Sequence, residues 1–453
     1  MGGSSPARKT ALNALLRMET RGAYSTLALD AALEKAALTP GDRALCAALF
    51  YGVLERRVTL DAMLAKHSRL PLSKLAPRVR VAVELGLYQL FFMDKIPPCA
   101  AVNESVELVK ASKERSAAGF VNAVLRSAGR AGLPALPDGQ SAEALSLRYS
   151  CPAELVESFM QDYGRDAAQT IMARSLGARD VTLRVNTRKT SPEALLELFA
   201  RAGVRARRDE RLPAALHADA SGGVARLPGY EDGLFHAQDV SAMLVCELLA
   251  PHPGDKLLDV CASPGGKSFT CAQMMEDRGE IHAFDLHESR VNLIRSGARR
   301  LGLTCVRADV RDARGSWPAD TPLFDCVLCD APCSGYGVMR NKPEVKYKPL
   351  GAQRELPGIQ SAILRSAAGR VAPGGRLVYA TCTLCRAEND EVAAAFAAEH
   401  SDFEPLSARA LLIARGIDVR MVPILDEDKP WITLLPGERC GDGFFMAAFR
   451  RKG

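Results

Sequence analysis

The first third of the chain has apolar residues at spacings of three and four, with almost no alternating segments. This spacing places the apolar side chains on one face of a helix. Five stretches of helix length follow one another, broken by glycine or proline: ARKTALNALLRM, STLALDAALEKA, DRALCAALFYGVLERR, PRVRVAVELGLYQLFFM and AVNESVELVKASKERSAAGFVNAVLRSAG. The last stretch comes after two prolines, and we expect its helix to start at Asn103 and Glu104. The pattern predicts an all-helical domain over residues 1–135, ending in a linker at Leu133–Gly139.

The pattern becomes mixed over residues 136–235. DVTLRVNT alternates as a strand does, and SPEALLELFARAG is typical of a capped helix that ends at a glycine. VARLPGYEDGLFHAQD is expected to form short strands joined by turns. These segments predict a small α+β module.

Over residues 236–453, apolar strand-like segments alternate with helical ones. The predicted strands are KLLDVC, EIHAFD, TCVRAD, DCVLCD, RLVYAT, WITLLPG and FFMAAF. Such alternation indicates a parallel sheet with crossover helices, which is the doubly wound, Rossmann-like α/β fold. The last two strands lie close in sequence, so we expect the far edge of the sheet to be antiparallel.

Composition and charge narrow the class of protein. A chain of 453 residues suits two or three domains. No apolar run approaches the roughly 20 residues that span a bilayer, and the N-terminal residues lack the apolar core of a secretory signal, so we expect a cytoplasmic protein. The 13 cysteines, an odd number, favour free thiols over a disulfide framework.

The positive charge is concentrated near the N-terminus. Residues 1–130 contain 19 Lys and Arg against 11 Asp and Glu, a surplus of +8 in a chain of net charge +6. This surplus favours a polyanionic partner for this part of the chain, but from charge alone an ordinary solvated helical surface is the preferred interpretation.

A glycine-rich turn follows the first strand of the last domain, in CASPGGKSFTCAQMM. Glycines at a strand-to-helix turn let the backbone approach a ligand and present helix N–H groups to it. A phosphate-binding loop would need glycine at the position of Cys261, and the GxGxxG pattern of dinucleotide-binding folds is absent. Asp285, Asp309 and Asp330 are predicted to end neighbouring strands, which suits an adenosine cofactor that carries a positive sulfonium instead of phosphates.

Two cysteines are predicted at the same edge of the sheet. Cys333 follows Asp330 in LCDAPCSGYG, and Cys382 follows another strand in YATCTLCRAEN. Because the carboxyl ends of parallel strands meet at one edge, both thiols are expected to face one pocket. A thiolate that adds to carbon 6 of a pyrimidine makes carbon 5 nucleophilic, provided that the base leaves its stack. At a pKa near 8.5 only about 3% of a thiol is ionised at neutral pH, so nearby positive charge or helix N–H groups should assist.

Two CxxC pairs raise the alternative of a zinc site. Cys326 and Cys329, however, lie within one strand, where positions three apart face opposite sides of the sheet. We therefore expect no metal, and we interpret Cys326, Cys329, Cys261 and Cys305 as small buried apolar residues.

At this point the motifs are recognisable. CASPGGK, DAPCSG, ATCT followed by Glu388-Asn389, and GDGFF at Gly441–Phe445 resemble those of the RNA cytosine-5 methyltransferases of the Sun/NOL/NSUN family, in particular the bacterial 16S ribosomal RNA enzymes of the Sun/Fmu type. Residues 1–135 resemble the helical RNA-binding fold of the antitermination factor NusB, on AVNESVELVK and GFVNAVLR. The middle module, which ends in HAQDVSAML, resembles the N1 region of the family.

The resemblance assigns roles that the residues alone leave open, including which thiol attacks. It implies that Cys382 is the nucleophile, that Cys333 assists proton removal and product release, and that Asp330 contacts the cytosine. It implies an S-adenosylmethionine site with Asp285 on the ribose and Asp309 near adenine. The remaining predicted cofactor residues are Cys261, Ala262, Ser263, Pro264, Gly265, Gly266, Lys267 and Asp330.

Some positions depart from the family pattern, and some alternatives stay open. Ser263 replaces the usual alanine of the turn, Tyr336 stands where threonine is common, and Cys385 is additional.

The implied partner is 16S ribosomal RNA, and we expect a monomer. A methyltransferase of the same family acting on transfer RNA, or a non-catalytic RNA-binding assembly factor, are the alternatives.

Overall fold

The computed structural model describes residues 5–21, 25–135, 137–177, 181–220, 223–421, 424–425, 428–437 and 441–453. The chain forms two compact units, Met1–Leu176 with Met339–Lys348, and Gly177–Val338 with Pro349–Gly453. The domain boundaries predicted at residues 135 and 235 stay a prediction. Leu136 of the predicted linker and Asp180 at the start of a predicted strand lie outside the described residues.

The first unit is helical. Its helices are α1 (Pro6–Arg21), α2 (Ser25–Lys35), α3 (Pro40–His67), α4 (Pro77–Phe92), α5 (Pro98–Lys110), α6 (Ala118–Ala131), α7 (Ala142–Tyr149) and α8 (Ala153–Arg174). Local sequence explains where they begin: the Thr39 side chain accepts a hydrogen bond from the Asp42 amide at the start of α3, and Pro40 occupies the first helical turn.

One predicted helix start is wrong. Asn103 and Glu104 lie inside α5, which already begins at Pro98, because proline suits the first helical position, where its missing N–H leaves no bond unmade. The predicted long stretch is also divided: a 3₁₀ turn at Arg115–Ala117 separates α5 from α6.

The second unit begins with a small antiparallel sheet in the order β2-β3-β1-β4. Its elements are β1 (Val181–Val185), α9 (Pro192–Arg201), β2 (Ala206–Arg208), β3 (Ala215–Ala218) and β4 (Phe235–Ala237). The expectation of strand at the start of VARLPGYEDG is wrong, since Val224–Arg226 is a 3₁₀ turn. Strands β2 and β3 were not predicted, because three or four residues are too few for an alternating pattern to be visible.

Among the described residues, nine strands form the large sheet, in the order β11-β12-β13-β9-β8-β5-β6-β7 with β10 beside β13. The strands are β5 (Lys256–Asp259), β6 (Glu280–Asp285), β7 (Val306–Val310), β8 (Phe324–Asp330), β9 (Val371–Thr381), β10 (Phe403–Leu406), β11 (Ile424–Leu425), β12 (Ile432–Leu434) and β13 (Phe444–Arg451). The helices are α10 (Val240–Leu249), α11 (Gly266–Met274), α12 (Glu288–Leu301), α13 (Leu356–Ala368), α14 (Asp390–Glu399) and α15 (Ala408–Ala414).

Strands β5 to β9 pair in parallel, and β13 pairs antiparallel with both β9 and β12. The predicted parallel sheet with an antiparallel edge is therefore confirmed. Helices cover both faces, so the central strands are buried on both sides. None of the described helices combines the length and apolar character needed to cross a bilayer.

Candidate active site

The order of the strands creates a crevice at one edge of the large sheet. The chain passes from β5 outward to β6 and β7, and then returns to the other side of β5 for β8 and β9. The connections that follow β5 and β8 therefore run in opposite directions. In sheets of this kind, ligands bind in the space between the carboxyl ends of two such strands. The predicted site residues all lie at the ends of these strands or in the turns that follow them.

The glycine-rich turn follows β5 and leads directly into α11. Gly265 has a φ of +109°, and a Cβ at this position would lie 2.2 Å from Cζ of Phe269. Only glycine fits both constraints. The Gly265 amide donates to the Ala262 carbonyl at 2.7 Å, which closes the turn, and the Ser263–Pro264 peptide bond is cis. The closed turn positions the first amides of α11, from Gly266 and Lys267, at the crevice, where they are suited to bind a ligand.

The two acids at the ends of β6 and β7 differ in exposure. The Asp285 side chain is buried and accepts a hydrogen bond from the His287 amide at 3.2 Å. The Asp309 side chain is exposed and pairs with Nη2 of Arg295 at 3.2 Å. Asp285 is therefore fixed at the sheet edge, whereas Asp309 is open to solvent.

The structure adds an acid that the sequence reasoning missed. Asp259, the last residue of β5, is buried, and its Oδ2 accepts a hydrogen bond from Ser268 Oγ at 2.6 Å. Burial raises the pKa of Asp259 to about 7, and the neighbouring Asp330 adds to the increase. Its Oδ1 is buried with no hydrogen-bond partner among the described residues. An acidic residue at the end of the first strand, in KLLDVC, was the available signal.

Lys267 and Asp330 form an ion pair across the crevice, with Nζ and Oδ2 2.6 Å apart. Burial alone would lower the pKa of Lys267, but the charge and hydrogen bond of Asp330 raise it above its ordinary value. Lys267 is thus a permanent cation, and its interaction with Cys382 also favours the charged amine. The positive charge expected near the thiols is therefore provided by this lysine.

The structure brings the two predicted thiols together. Sγ of Cys333 and Sγ of Cys382 lie 3.4 Å apart, although the residues follow different strands. The two loops are also bonded directly. The hydroxyl groups of Ser334 and Thr383 are 2.5 Å apart, and the Gly337 amide donates to the Cys382 carbonyl at 2.9 Å.

The surroundings of Cys333 favour its neutral thiol. The pKa of Cys333 is raised well above its ordinary value, first by its hydrogen bond with Cys382 and then by burial, with the charges of Cys382, Glu388 and Asp330 adding to the effect. Cys333 therefore carries its proton at neutral pH, and either thiol can donate an S–H to the other sulfur.

Three further side chains at the site were missed as individual residues. Glu388 and Asn389 were noted only as part of the family motif, and Gln360 of α13 carries no signal in the sequence. All three are buried and hydrogen-bond to the loops of Cys333 and Cys382.

In one CxxC pair the two cysteines lie on opposite faces of the sheet, and in the other pair, Cys382 and Cys385, both are partly buried. Cys326 and Cys329 belong to different core clusters on opposite faces of the sheet, as their positions in the strand predict. No group of three His, Cys, Asp or Glu residues that could hold a metal ion occurs in the part of the chain that the structure describes. Cys261, which was interpreted as a buried apolar residue, lies in the turn after β5 and is only partly buried, packed against the core on one face of the sheet.

A crossover sheet of this topology, with a glycine-rich turn at its switch point and paired thiols beside it, places the second unit among the methyltransferases. The chain belongs to the family described as 16S rRNA methyltransferase RsmB/F, whose model matches residues 246–450. The NusB family model matches residues 5–130, and a ferredoxin-like domain of the RsmF/B-like methyltransferases matches residues 151–225. The predicted fold class, with a NusB-like helical domain, a small α+β module and a methyltransferase domain, is confirmed.

Relatives match nearly the whole chain. A probable ribosomal RNA small subunit methyltransferase B of Bacillus subtilis (strain 168) is 38% identical, over 98% of this chain and 99% of the relative. A protein of the same description from Synechocystis sp. is 34% identical, with the same coverage of both chains. The crystal structure of PH0851 has the same fold, with a TM-score of 0.80, 23% identity and 99% of both chains covered.

Proposed function

We propose that this protein transfers a methyl group from S-adenosylmethionine to carbon 5 of a cytosine in 16S ribosomal RNA. In this reaction Cys382 bonds covalently to carbon 6 of the cytosine. The observation that carries the proposal is the 3.4 Å separation of the Cys333 and Cys382 sulfurs, beside the Lys267–Asp330 ion pair. One base extruded into the crevice would contact both thiols.

The residues around the glycine-rich turn fit the cofactor. S-adenosylmethionine supplies a methyl group on a positively charged sulfur. Backbone amides at the start of α11 and the carboxylate of Asp285 are suited to its polar groups, with Asp309 at the next strand end. Oδ1 of Asp259, at the end of the strand that leads into this turn, is buried with no partner among the described residues and is a further candidate acceptor.

The two thiols divide the chemistry. The Cys382 sulfur forms a bond to carbon 6, and the electron pair of the carbon 5–carbon 6 double bond then takes the methyl group at carbon 5. When Cys382 bonds to carbon 6, the hydrogen bond and the charge that hold the proton on Cys333 are lost, so Cys333 releases this proton to solvent. As a thiolate, Cys333 then accepts the carbon 5 proton. The double bond re-forms as the carbon 6–sulfur bond breaks, which releases the Cys382 thiolate. Asp330 would hydrogen-bond the polar edge of the cytosine and stabilise the charge that develops.

Ribosomal RNA is supported as the substrate by two observations. The family model and the relatives carry 16S or small-subunit ribosomal RNA in their descriptions. Residues 1–130 carry the positive surplus of +8, which suits a polyanion. We propose residues 1–135 as an RNA-binding domain, residues 136–235 as the N1 module and residues 236–453 as the methyltransferase domain.

Cysteine variants test the mechanism. We expect Cys382→Ala to abolish methyl transfer from radiolabelled S-adenosylmethionine while RNA binding is retained, because only the nucleophile is removed. Cys333→Ala should accumulate a protein–RNA adduct that survives a denaturing gel, because the addition proceeds and the release does not. The assay offers 16S ribosomal RNA and transfer RNA separately and measures methylation of each.

Cys99→Ser is the matched control, since Cys99 is an exposed thiol in the helical unit; it should methylate as the wild type does. Normal methylation by both site variants would refute the mechanism. RNA binding without methylation by the wild type would favour the non-catalytic assembly factor, and methylation of transfer RNA alone would favour the transfer RNA enzyme.

A further inference from the structure

The two residues that flank Cys382 are held by one side chain. Oδ1 of Asn389 accepts a hydrogen bond from the Thr381 hydroxyl at 2.5 Å, and its Nδ2 donates to the Thr383 carbonyl at 3.0 Å. The Asn389 amide therefore spans the loop on both sides of the nucleophilic cysteine. Movement of the Cys382 backbone would break one or both bonds.

Glu388, the residue before Asn389, helps to hold the loop of Cys333. Oε2 of Glu388 accepts from the Ser334 amide at 2.9 Å and from Nε2 of Gln360 at 2.9 Å. The same Nε2 donates to the Pro332 carbonyl at 2.9 Å. Glu388 and Gln360 thus hold both neighbours of Cys333 in one ring of hydrogen bonds.

Burial makes these bonds rigid. The side chains of Glu388, Asn389 and Gln360 are at most 2% exposed, so water cannot replace a broken bond. The hydroxyl of Tyr379 donates to the Glu388 carbonyl at 2.5 Å, which ties the pair to strand β9. Within the described residues, no cation lies within ion-pairing distance of the Glu388 carboxylate, so its hydrogen bonds to the loop are what hold it in the interior.

We propose that Glu388 and Asn389 are positioning residues that set the separation of the two thiols. Asn389 fixes Cys382 for addition to the base, and Glu388, together with Gln360, fixes Cys333 for the release step. The kinetic part of this inference rests on the proposed function, whereas the geometric part does not.

Disulfide formation measures the geometry without RNA. Glutathione disulfide is attacked by one cysteine thiolate, which gives a mixed disulfide and one glutathione. The second cysteine then displaces the other glutathione, so two protein thiols are oxidised as one glutathione disulfide is reduced to two glutathiones. The rate of the Cys333–Cys382 link, followed by mass spectrometry of the joined peptides, reports how often the sulfurs meet.

The full-length variants Asn389→Ala and Glu388→Ala are compared with the wild type in this assay and in RNA methylation. We expect each to form the disulfide about tenfold more slowly, and Asn389→Ala to lower kcat about a hundredfold with KM for RNA unchanged, since displacement by about 1 Å costs this much in rate. Glu388→Ala should accumulate the covalent RNA adduct. Glu388→Gln should restore disulfide formation and release, because its Oε1 can accept both hydrogen bonds.

Glu391→Ala is the matched control, an exposed carboxylate at the start of α14, and it should behave as the wild type does. If an alanine variant fails to fold, Thr381→Val tests whether Asn389 positions Cys382. This substitution keeps the volume of the side chain and removes one hydrogen bond to Asn389. Wild-type disulfide rates and kcat in Thr381→Val and in the folded variants at 388 and 389 would overturn the inference. If the wild type does not methylate RNA and Cys333→Ala makes no RNA adduct, while the disulfide rates of the variants fall as expected, the proposed function fails and the positioning role stands.

Discussion

At the scale of single residues, Asp259 at the crevice and Asp277, which precedes β6, have different pKa values because their surroundings differ. Asp259 has a pKa of about 7, whereas Asp277, which accepts hydrogen bonds from the Thr304 and Cys305 amides, has a pKa of about 2. Burial without enough hydrogen bonds favours the neutral carboxyl, and several donors favour the carboxylate. The protonation state of Asp259 therefore changes close to neutral pH.

This difference gives a pH-dependent contribution to stability. The pKa of Asp259 is raised in the folded protein, so the folded state binds more protons than the unfolded state between about pH 4 and pH 7. Its contribution to stability is therefore present below pH 4 and is lost as the pH rises to 7. We expect Asp259→Asn to remove this dependence and to raise the unfolding free energy at pH 8 by on the order of 2 kcal/mol. Chemical denaturation of the wild type and the variant at pH 5 and pH 8 measures the unfolding free energy. An equal pH dependence in both proteins would contradict a raised pKa of Asp259.

At the scale of elements, Met339–Lys348 is the segment whose placement is least expected. It follows the Cys333 loop in sequence, yet it belongs to the helical unit. Nζ of Lys346 donates to the carbonyls of Glu55 and Ser150 at 3.0 Å each, and the Tyr347 hydroxyl donates to the Leu54 carbonyl at 2.6 Å. Burial lowers the pKa of Lys346 to about 8. The segment is therefore an integral part of the core of the helical unit.

Tyr347→Phe tests how much this attachment contributes. The substitution removes one buried hydrogen bond, which is worth about 1 kcal/mol, and keeps the ring. We expect amide hydrogens around Leu54 and Tyr347 to exchange about fivefold faster by mass spectrometry. Exchange in α12, which lies in the other unit, is the internal control and should not change. An unaltered rate around Leu54 would mean that the hydroxyl contributes nothing to local stability.

At the scale of the whole molecule, charge is divided along the chain. Residues 1–130 carry +8 and the remainder carries −2, which together give the net +6. A polyanion would therefore meet the positive surplus mainly in residues 1–130, because residues 131–453 together are close to neutral. This division suits a protein that holds RNA through one part and modifies it with another.

The proposed target can be tested in the cell. In a strain that lacks the gene, bisulfite sequencing should reveal the loss of a 5-methylcytosine from 16S ribosomal RNA, because the proposed activity is then absent. A gene encoding the wild-type protein should restore the mark, and one encoding Cys382→Ala should not. A mark lost from transfer RNA alone would assign the protein to the transfer RNA branch instead.

The sequence by itself determined the helical character of the first 135 residues, the parallel strands β5 to β9, the glycine-rich turn and the placement of both thiols at the ends of strands. These features depend on local periodicity and on residues such as Gly265, whose backbone conformation excludes other side chains. The convergence of Cys333 and Cys382 could be predicted as well, because parallel strands present their carboxyl ends at one edge.

Only the tertiary structure decided which groups contact these residues. Gln360, Glu388 and Asn389 reach the thiol loops from a helix and a turn, and Lys346 reaches carbonyls 291 and 196 positions away in the chain. The partners of the Gln360, Glu388 and Lys346 side chains lie between 28 and 291 positions away, so topology and burial select them, and they leave no periodic pattern in the chain. The protonation of Asp259 has the same origin, since desolvation depends on what surrounds a carboxyl group in space.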